Sequence, residues 1–143
     1  MKPAVLISVC AIILSFYQEQ PILEIEISNV RNHNGTILLS VCAGPEEYPD
    51  SPFRTYEVDK DSLHEGKLRK VIGDLQPGTY AIALLDDENR SGGMDYSRLG
   101  IPLEGFAFAN NVRPFLSCPA YDRCLFTIKP GTNRMHLIVR YKN

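Results

Sequence analysis

The sequence has no tryptophan and no cluster of basic residues. Its formal net charge is −2 over 143 residues, and its arginines are scattered along the chain. Proteins that bind nucleic acid use clustered Lys and Arg side chains to neutralise phosphates, so nucleic acid is not an expected partner. Tryptophan is also the favoured side chain for stacking on sugars. Tyr96, Phe115 and Tyr121 are the aromatic candidates that remain for such a role.

The sequence also lacks a convincing helical period, an internal repeat and a linker between domains. Hydrophobic residues make up 44% of the chain and charged residues 22%, which is enough apolar material for one core. Ten glycines and ten prolines indicate frequent turns. These features together predict a single all-β domain.

The N-terminus has the pattern of a secretory signal peptide. Lys2 precedes an apolar run over residues 4–16, and polar residues follow at 18–20. The run is shorter than the roughly 20 residues that a membrane span needs. It predicts a signal peptide over residues 1–19 and a mature domain over 20–143, with a buried first strand or a short anchor as alternatives. We expect an exported protein without a transmembrane span, located in the periplasm, on the cell surface or in the medium.

Alternation of apolar and polar residues predicts seven short strands. Asn34-Gly35 is a typical two-residue hairpin turn between the first two strands, and residues 129–133 predict a closing hairpin between the last two. The expected fold class is all-β: a seven-stranded antiparallel β-sandwich, immunoglobulin-like or transthyretin-like, with one long loop. The strands are expected at residues 23–28, 36–42, 55–58, 67–72, 79–85, 125–128 and 135–141.

The fifth predicted strand follows a Pro77-Gly78 turn and is almost entirely apolar. Such a run predicts a strand that is covered on both faces. Tyr80, just after the turn, is typical of a tyrosine corner, in which the hydroxyl bonds to backbone near the turn.

Export would place the cysteines in an oxidising environment. Cys118 and Cys124 are separated by five residues, and a disulfide between them would contribute about 2 kcal/mol by closing a small loop. Cys42 lies at the end of a predicted strand and is expected to be a buried, small apolar residue. Zinc is disfavoured because the spacing is not Cys-x-x-Cys and no histidine is nearby.

The segment from Asp86 to Arg123 is too long for an ordinary connection and is the expected functional loop. Its start has the spacing of a calcium loop, in which alternate oxygen-bearing side chains converge on a hard cation. The residues at positions 1, 3, 5 and 9 of that pattern are Asp87, Asn89, Ser91 and Asp95.

The calcium pattern is incomplete at its last position. Gly92 occupies the turn position, but Arg98 stands where a bidentate glutamate is needed. Glu104 is the candidate for the missing carboxylate if the loop folds back. A solvated turn of Asp, Asn and Gly residues is the alternative interpretation.

A second segment of the loop contains Phe106, Phe108 and Asn110. These side chains could line a ligand surface, or the two phenylalanines could close the open end of the sandwich. Glu104 is expected to hold the loop by accepting backbone hydrogen bonds.

Four stretches of the chain carry a family resemblance: residues 75–83, 87–89, 94–95 and 100–111. With them, the chain from about residue 23 onward resembles the bacterial family known as domain of unknown function 2141. The resemblance implies a small exported protein with no assigned activity. The family's acidic loop usually reads Asp-x-Asn-x-Asn-Gly-x-x-Asp. This chain departs from it with Ser91 and Arg90, which weakens any calcium site.

The three histidines, His33, His64 and His136, lie in separate predicted elements, and no nucleophile motif accompanies them. We therefore expect no catalytic residues and a non-enzymatic binding module for an unknown protein, polymer or small ligand. A purely structural domain of the cell envelope is the alternative, and a transthyretin-like hydrolase is a further one. Calcium could stabilise the acidic loop in the binding module as well as in the structural domain. Exposed aromatic or acidic groups around Phe106 and Asp95 would favour binding, whereas their burial would favour a scaffold.

Overall fold

The computed structural model describes residues 19–142, and the predicted signal peptide lies almost entirely outside them. The described chain is all-β, with eight strands in two sheets and two short 3₁₀ helices, Ala109–Asn111 and Tyr121–Cys124. None of the helices in this part is long and apolar enough to cross a membrane. The strands are β1 Ile22–Ser28, β2 Thr36–Cys42, β3 Arg54–Val58, β4 Leu68–Ile72, β5 Gly78–Asp87, β6 Gly105–Phe108, β7 Leu125–Ile128 and β8 Thr132–Ile138.

The smaller sheet has three strands in the order β4-β1-β8. β1 pairs antiparallel with β4, whereas β1 and β8 are parallel, with Ile25 opposite Met135. The prediction of a purely antiparallel fold is therefore wrong for this pair. The first and last strands of the domain lie side by side and run in the same direction.

The larger sheet has five strands, with β3-β2-β5-β6 as its main order and β7 also paired with β5. β7 pairs with the start of β5, from Gly78 to Ala81, and β6 pairs with its end, from Ala83 to Asp86. Both pairings are antiparallel. β6 is the one strand beyond the seven that were predicted, and it lies within the segment that was expected to be a long loop.

The two predicted hairpins are connections between the sheets. The turn at Asn34-Gly35 joins β1 in the smaller sheet to β2 in the larger one, and residues 129–131 join β7 to β8 in the same way. Position 35 requires glycine because the backbone of Asp87 packs closely against it. A Cβ atom at this position would lie 1.9 Å from the carbonyl oxygen of Asp87. This turn packs against the end of β5, which explains the glycine without a hairpin.

The predicted alternation of faces is confirmed. Inward-facing side chains from both sheets, such as Ile25, Leu137, Leu39 and Ile82, belong to one buried apolar cluster. A second cluster lies on the other face of the larger sheet. It contains Cys42, Ala81, Phe106, Phe108 and Cys124. β5 is therefore covered on both faces, as its unbroken apolar run predicts.

The tyrosine corner is also confirmed. The hydroxyl of Tyr80 donates to the carbonyl oxygen of Gln76 at 3.0 Å, across the Pro77-Gly78 turn. The bond fixes the point at which the chain enters β5.

A buried ion pair lies at the other end of β5. Lys60, in the connection from β3 to β4, is 3% exposed, and its ammonium group contacts Oδ1 of the fully buried Asp86 without the alignment of a hydrogen bond. The ammonium also donates to the carbonyl oxygen of Asn34. Tyr141 donates its hydroxyl proton to Oδ2 of Asp86 at 2.5 Å. Three separate parts of the chain therefore meet at one buried carboxylate.

We expect Lys60→Met to reduce the free energy of unfolding by about 3–5 kcal/mol, because it leaves the Asp86 carboxylate buried without a counter-charge. Urea unfolding measures the loss. Lys129→Met, at an exposed lysine, is the control and should change stability by less than about 0.5 kcal/mol. The double variant Lys60→Met/Asp86→Leu should be more stable than Lys60→Met alone. Equal stabilities of Lys60→Met and the control would contradict the assigned role of the pair.

Candidate binding groove and acidic loop

The outer face of the larger sheet forms the floor of an open groove. Because side chains alternate along a strand, residues that are paired across the sheet share a face. Leu38, Leu85 and Phe106 form one such row across β2, β5 and β6. A second row of paired residues on this face contains Thr55, Ser40, Ala83 and Phe108. Both rows contribute to the groove lining.

The walls of the groove come from side chains within residues 49–52, 92–102 and 114–118. Its volume is about 730 Å³, which lies in the range of small-molecule sites, roughly 300–1,000 Å³. The loop over residues 92–102 is held at its base by a backbone hydrogen bond from Leu103 to Asp95 at 2.9 Å. Ser97 and Ile101 close a tight turn within it, also at 2.9 Å or less. The wall formed by residues 92–102 is therefore an ordered loop with internal hydrogen bonds.

Large apolar side chains are exposed along the rim. Leu99, Phe115 and Leu116 are 86%, 87% and 88% exposed, and all three line the groove. Tyr96 and Ile101 add two more exposed apolar groups from the same walls. Isolated exposed apolar residues are ordinary on protein surfaces, but several that line one concave site indicate a candidate binding surface. The groove is therefore the candidate functional site.

A smaller open pocket of about 370 Å³ adjoins the groove. The two share Phe106, Pro114 and Lys142 in their linings. Arg113 and Arg140 also line the smaller pocket. The edge of the groove next to β6 is thus cationic.

The acidic loop begins where β5 ends and is held by Asp87. This carboxylate is 1% exposed and accepts backbone hydrogen bonds from Ser91 at 2.9 Å and from Gly92 at 2.8 Å. Each oxygen of Asp87 takes one of these bonds. Asp87 therefore closes the first turn of the loop with the chain's own amide groups.

Glu104 holds the other end of the loop, and the prediction that it accepts backbone hydrogen bonds is confirmed. Its two oxygens accept the amide protons of Glu88 at 2.9 Å and of Asp95 at 3.2 Å. Glu104 is 4% exposed, and burial raises the pKa of its carboxyl group. The side chain ties together three points of the loop, at residues 88, 95 and 104.

The side chains of the calcium pattern form hydrogen bonds within the loop. Asn89 turns its amide nitrogen toward Oδ2 of Asp95 at 2.6 Å, and the Ser91 hydroxyl donates to the carbonyl oxygen of Gly93. The carboxylates of Asp87 and Glu104 are occupied by backbone amides. Within residues 19–142, no group of three or more His, Cys, Asp or Glu side chains is placed to hold a metal ion.

The structure separates the three residues of the predicted ligand segment. Phe106 and Phe108 are 6% and 9% exposed, lie in β6 and line the groove floor. Asn110 adopts a left-handed backbone conformation with φ of 61°. Its amide donates to the carbonyl oxygens of Arg123 and Leu125, at 3.2 and 2.9 Å. Asn110 therefore connects to the start of β7, and it does not line the groove.

The predicted disulfide is absent. Cys42, Cys118 and Cys124 are all free thiols in the part of the chain that the structure describes. The hydroxyl of Tyr48 contacts both expected partners, 3.3 Å from the sulfur of Cys118 and 3.4 Å from that of Cys124. Burial raises the pKa of both thiols, so the reactive thiolate forms are disfavoured. Cys42 is 1% exposed, as expected for a small apolar residue.

Sequence reasoning missed most of the groove. It named Tyr96 and Phe115 as aromatic candidates, and both line the groove, whereas Tyr121 bonds to the carbonyl oxygen of Ala43. The outward positions of Leu38 and Leu85 on apolar strands were a signal that was available. The pair Phe115-Leu116 was another, because it stands in an otherwise turn-like segment.

These features define an all-β domain of two sheets with a preformed apolar groove on one of them. The chain matches the family DUF2141, described as an uncharacterized protein conserved in bacteria, over residues 25–136. The match covers most of the chain, from β1 into β8, so the protein belongs to this family. Neither the curated proteins nor the solved structures contain a significant match to it.

We expect Glu104→Gln to lower the free energy of unfolding by about 1–3 kcal/mol, because one amide proton would then face the NH₂ group instead of an acceptor. The loss should depend on pH. Since burial raises the pKa of Glu104, its contribution to stability is greatest below the ordinary glutamate pKa and falls as the pH rises through the folded-state pKa. The difference in the free energy of unfolding between the unchanged protein and Glu104→Gln should therefore narrow as the pH rises.

Urea unfolding of both proteins across the acidic to neutral range measures this gap. Glu65→Gln, at an exposed glutamate in a turn, is the matched control and should show no such trend. A difference in stability that widens as the pH rises would show that burial is not the dominant influence on the pKa of Glu104.

Proposed function

We propose that this protein is an exported, non-enzymatic binding module whose ligand is a small apolar molecule held in the groove on the larger sheet. The observation that carries the proposal is the groove itself: a mainly apolar floor, loop walls and a rim of exposed Leu99, Phe115 and Leu116. Exposing such side chains to water is unfavourable for a monomeric protein unless a ligand covers them.

A β-sandwich is the architecture that this proposal assumes. The common apolar cluster between the inward faces of the two sheets supports it. Export is supported by the N-terminal pattern of one lysine and an apolar run. The mature N-terminus of the secreted protein, read by mass spectrometry, would test it.

The absence of catalysis is a proposal as well. Its support is the distribution of the histidines. His33 lies by the carbonyl oxygen of Lys60, His64 lies in the turn before β4, and His136 lies on β8, beside Ser28 of β1. These positions are on different elements and none lines the groove. A transthyretin-like hydrolase would need such groups to converge.

A structural role in the cell envelope is the second candidate. The acidic loop favours it, because Asp87 and Glu104 stabilise the loop without any ligand. This candidate explains the buried carboxylates, but it leaves the exposed rim of the groove without a role. For that reason we prefer the binding module.

Binding to the groove can be measured with Nile red, an uncharged apolar dye whose fluorescence rises in apolar surroundings. We expect one saturable site. Leu99→Ser/Leu116→Ser should weaken binding by roughly tenfold, because two leucines no longer contribute buried apolar area. Both side chains are highly exposed, so the fold should be unaffected.

Leu103→Ser/Val71→Ser is the matched control. These residues are 52% and 59% exposed and lie outside the groove lining. This variant should bind Nile red like the unchanged protein. Absence of saturable dye binding, or equal losses in both variants, would rule out the groove as the binding site.

The sequence pattern predicts calcium binding by the acidic loop, and a thermal melt tests it. Calcium at a hundredfold excess over its dissociation constant would stabilise the protein by about 2.7 kcal/mol relative to chelator, which is several degrees in a domain of this size. Because the loop carboxylates already accept backbone hydrogen bonds, we expect no such shift. A shift of several degrees that Asp95→Asn abolishes would restore the calcium hypothesis.

A further inference from the structure

The groove has a different electrostatic character at its two ends. It crosses the sheet from Thr55 on β3 to Phe106 on β6. Asp50, in the segment before β3, lies in the wall near the first end, whereas Lys142 lies in the lining shared with the pocket next to β6. Backbone hydrogen bonds between Phe106 and Arg140, at 3.0 and 2.8 Å, fix Arg140 beside this second end.

The cations at the β6 end have no acidic partner among the described residues. Within residues 19–142, Arg113, Arg140 and Lys142 take part in no ion pair. Two acids that reach this region through Tyr141 are already paired. Asp86, which accepts the Tyr141 hydroxyl proton, pairs with Lys60, and Glu88 pairs with Arg31, which lies over the ring of Tyr141.

An unpaired cationic pocket that is continuous with an apolar groove is complementary to an amphiphile with one anionic end. Guanidinium groups bind carboxylates through two parallel hydrogen bonds, and a lysine adds a third positive charge. The apolar floor would take the alkyl chain, and Asp50 at the far end disfavours the reverse orientation. The groove volume is that of a site for one small molecule.

We infer that the ligand of this groove is a single long-chain carboxylate, with its chain across β2, β5 and β6 and its head between Arg113, Arg140 and Lys142. This inference rests on the proposed function, because it requires the groove to bind a small apolar molecule. It adds the chemical class of the ligand and the direction in which the ligand lies.

Isothermal titration with dodecanoate and with 1-dodecanol, both below their aggregation limits, separates the two claims. The compounds have the same chain length and differ only in the charged head. Dodecanoate should bind about tenfold more tightly than 1-dodecanol, the difference expected for one charge-assisted contact at a partly exposed site. Arg113→Gln/Lys142→Gln should bring the affinity for dodecanoate down to that for 1-dodecanol and leave 1-dodecanol unchanged.

Lys67→Gln/Lys129→Gln is the control, because it changes the net charge equally at exposed lysines outside both pockets. It should retain the preference for dodecanoate. If both compounds bind equally, or if the control loses the preference as well, the inferred head-group site is wrong and the apolar groove stands. If neither compound nor Nile red binds, the proposed function itself fails.

A membrane surface is the rival partner for exposed leucines next to unpaired cations. Sedimentation with phosphatidylglycerol vesicles tests it. Vesicle binding that depends on Arg113 and Lys142, without binding of free dodecanoate, would overturn the inference in favour of a lipid surface. Binding of dodecanoate without sedimentation would support it.

Discussion

The end of β5 is fixed by two consecutive aspartates that act on opposite faces of the larger sheet. Asp86 points into the core, where Lys60 and Tyr141 meet its carboxylate. Asp87 points the other way and caps the first turn of the acidic loop. A buried carboxylate costs free energy unless it is paired or hydrogen-bonded. The folded state therefore requires the partners of each aspartate to lie beside its carboxylate. The connection from β3 to β4, the C-terminus and the loop are all placed by this one dipeptide.

The groove depends on the same constraint. The loop that leaves Asp87 is closed by Glu104, and the next residues enter β6 alongside β5. This return path places Tyr96, Leu99 and Ile101 over the outer face of the sheet. The buried carboxylates thus have a role in shaping the groove wall. An acidic sequence that resembles a metal loop is used here to bind the chain's own amide groups.

Close packing at β6 links the groove to the core. A Cβ atom at Gly105 would lie 2.4 Å from the ring of Tyr141 and 2.6 Å from the side chain of Val139. Glycine at this position lets the C-terminal segment pass directly beside β6, where it pairs through Phe106 and Arg140. The same contact brings Lys142 to the rim of the groove. The cationic end of the site therefore follows from how the last residues pack.

Much of the local structure could be predicted from the sequence. The alternation in residues 23–28 and 36–42, the corner at Tyr80 and the role of Glu104 as a backbone acceptor all hold in the structure. The alternation and the corner depend on residues that are close in sequence. The role of Glu104 follows from the general requirement that buried polar groups form hydrogen bonds. Strand partners could not be read in this way, because a period of two shows which face a residue takes but not which strand lies beside it. β6 was missed for a related reason, since its Gly-Phe-Ala-Phe sequence is buried on both faces and does not alternate.

The candidate site shows the same division. The sequence alone determined the all-β class, the apolar character of β5 and the acidic turn that begins at Asp87. Only the tertiary structure decided that the first and last strands are parallel neighbours and that Asn34-Gly35 joins two sheets. It also decided that residues from several strands and loops surround one groove. The physical reason is that the groove consists of residues far apart in the chain. Their proximity results from the pairing of the strands and the burial of Asp86, which no local pattern records.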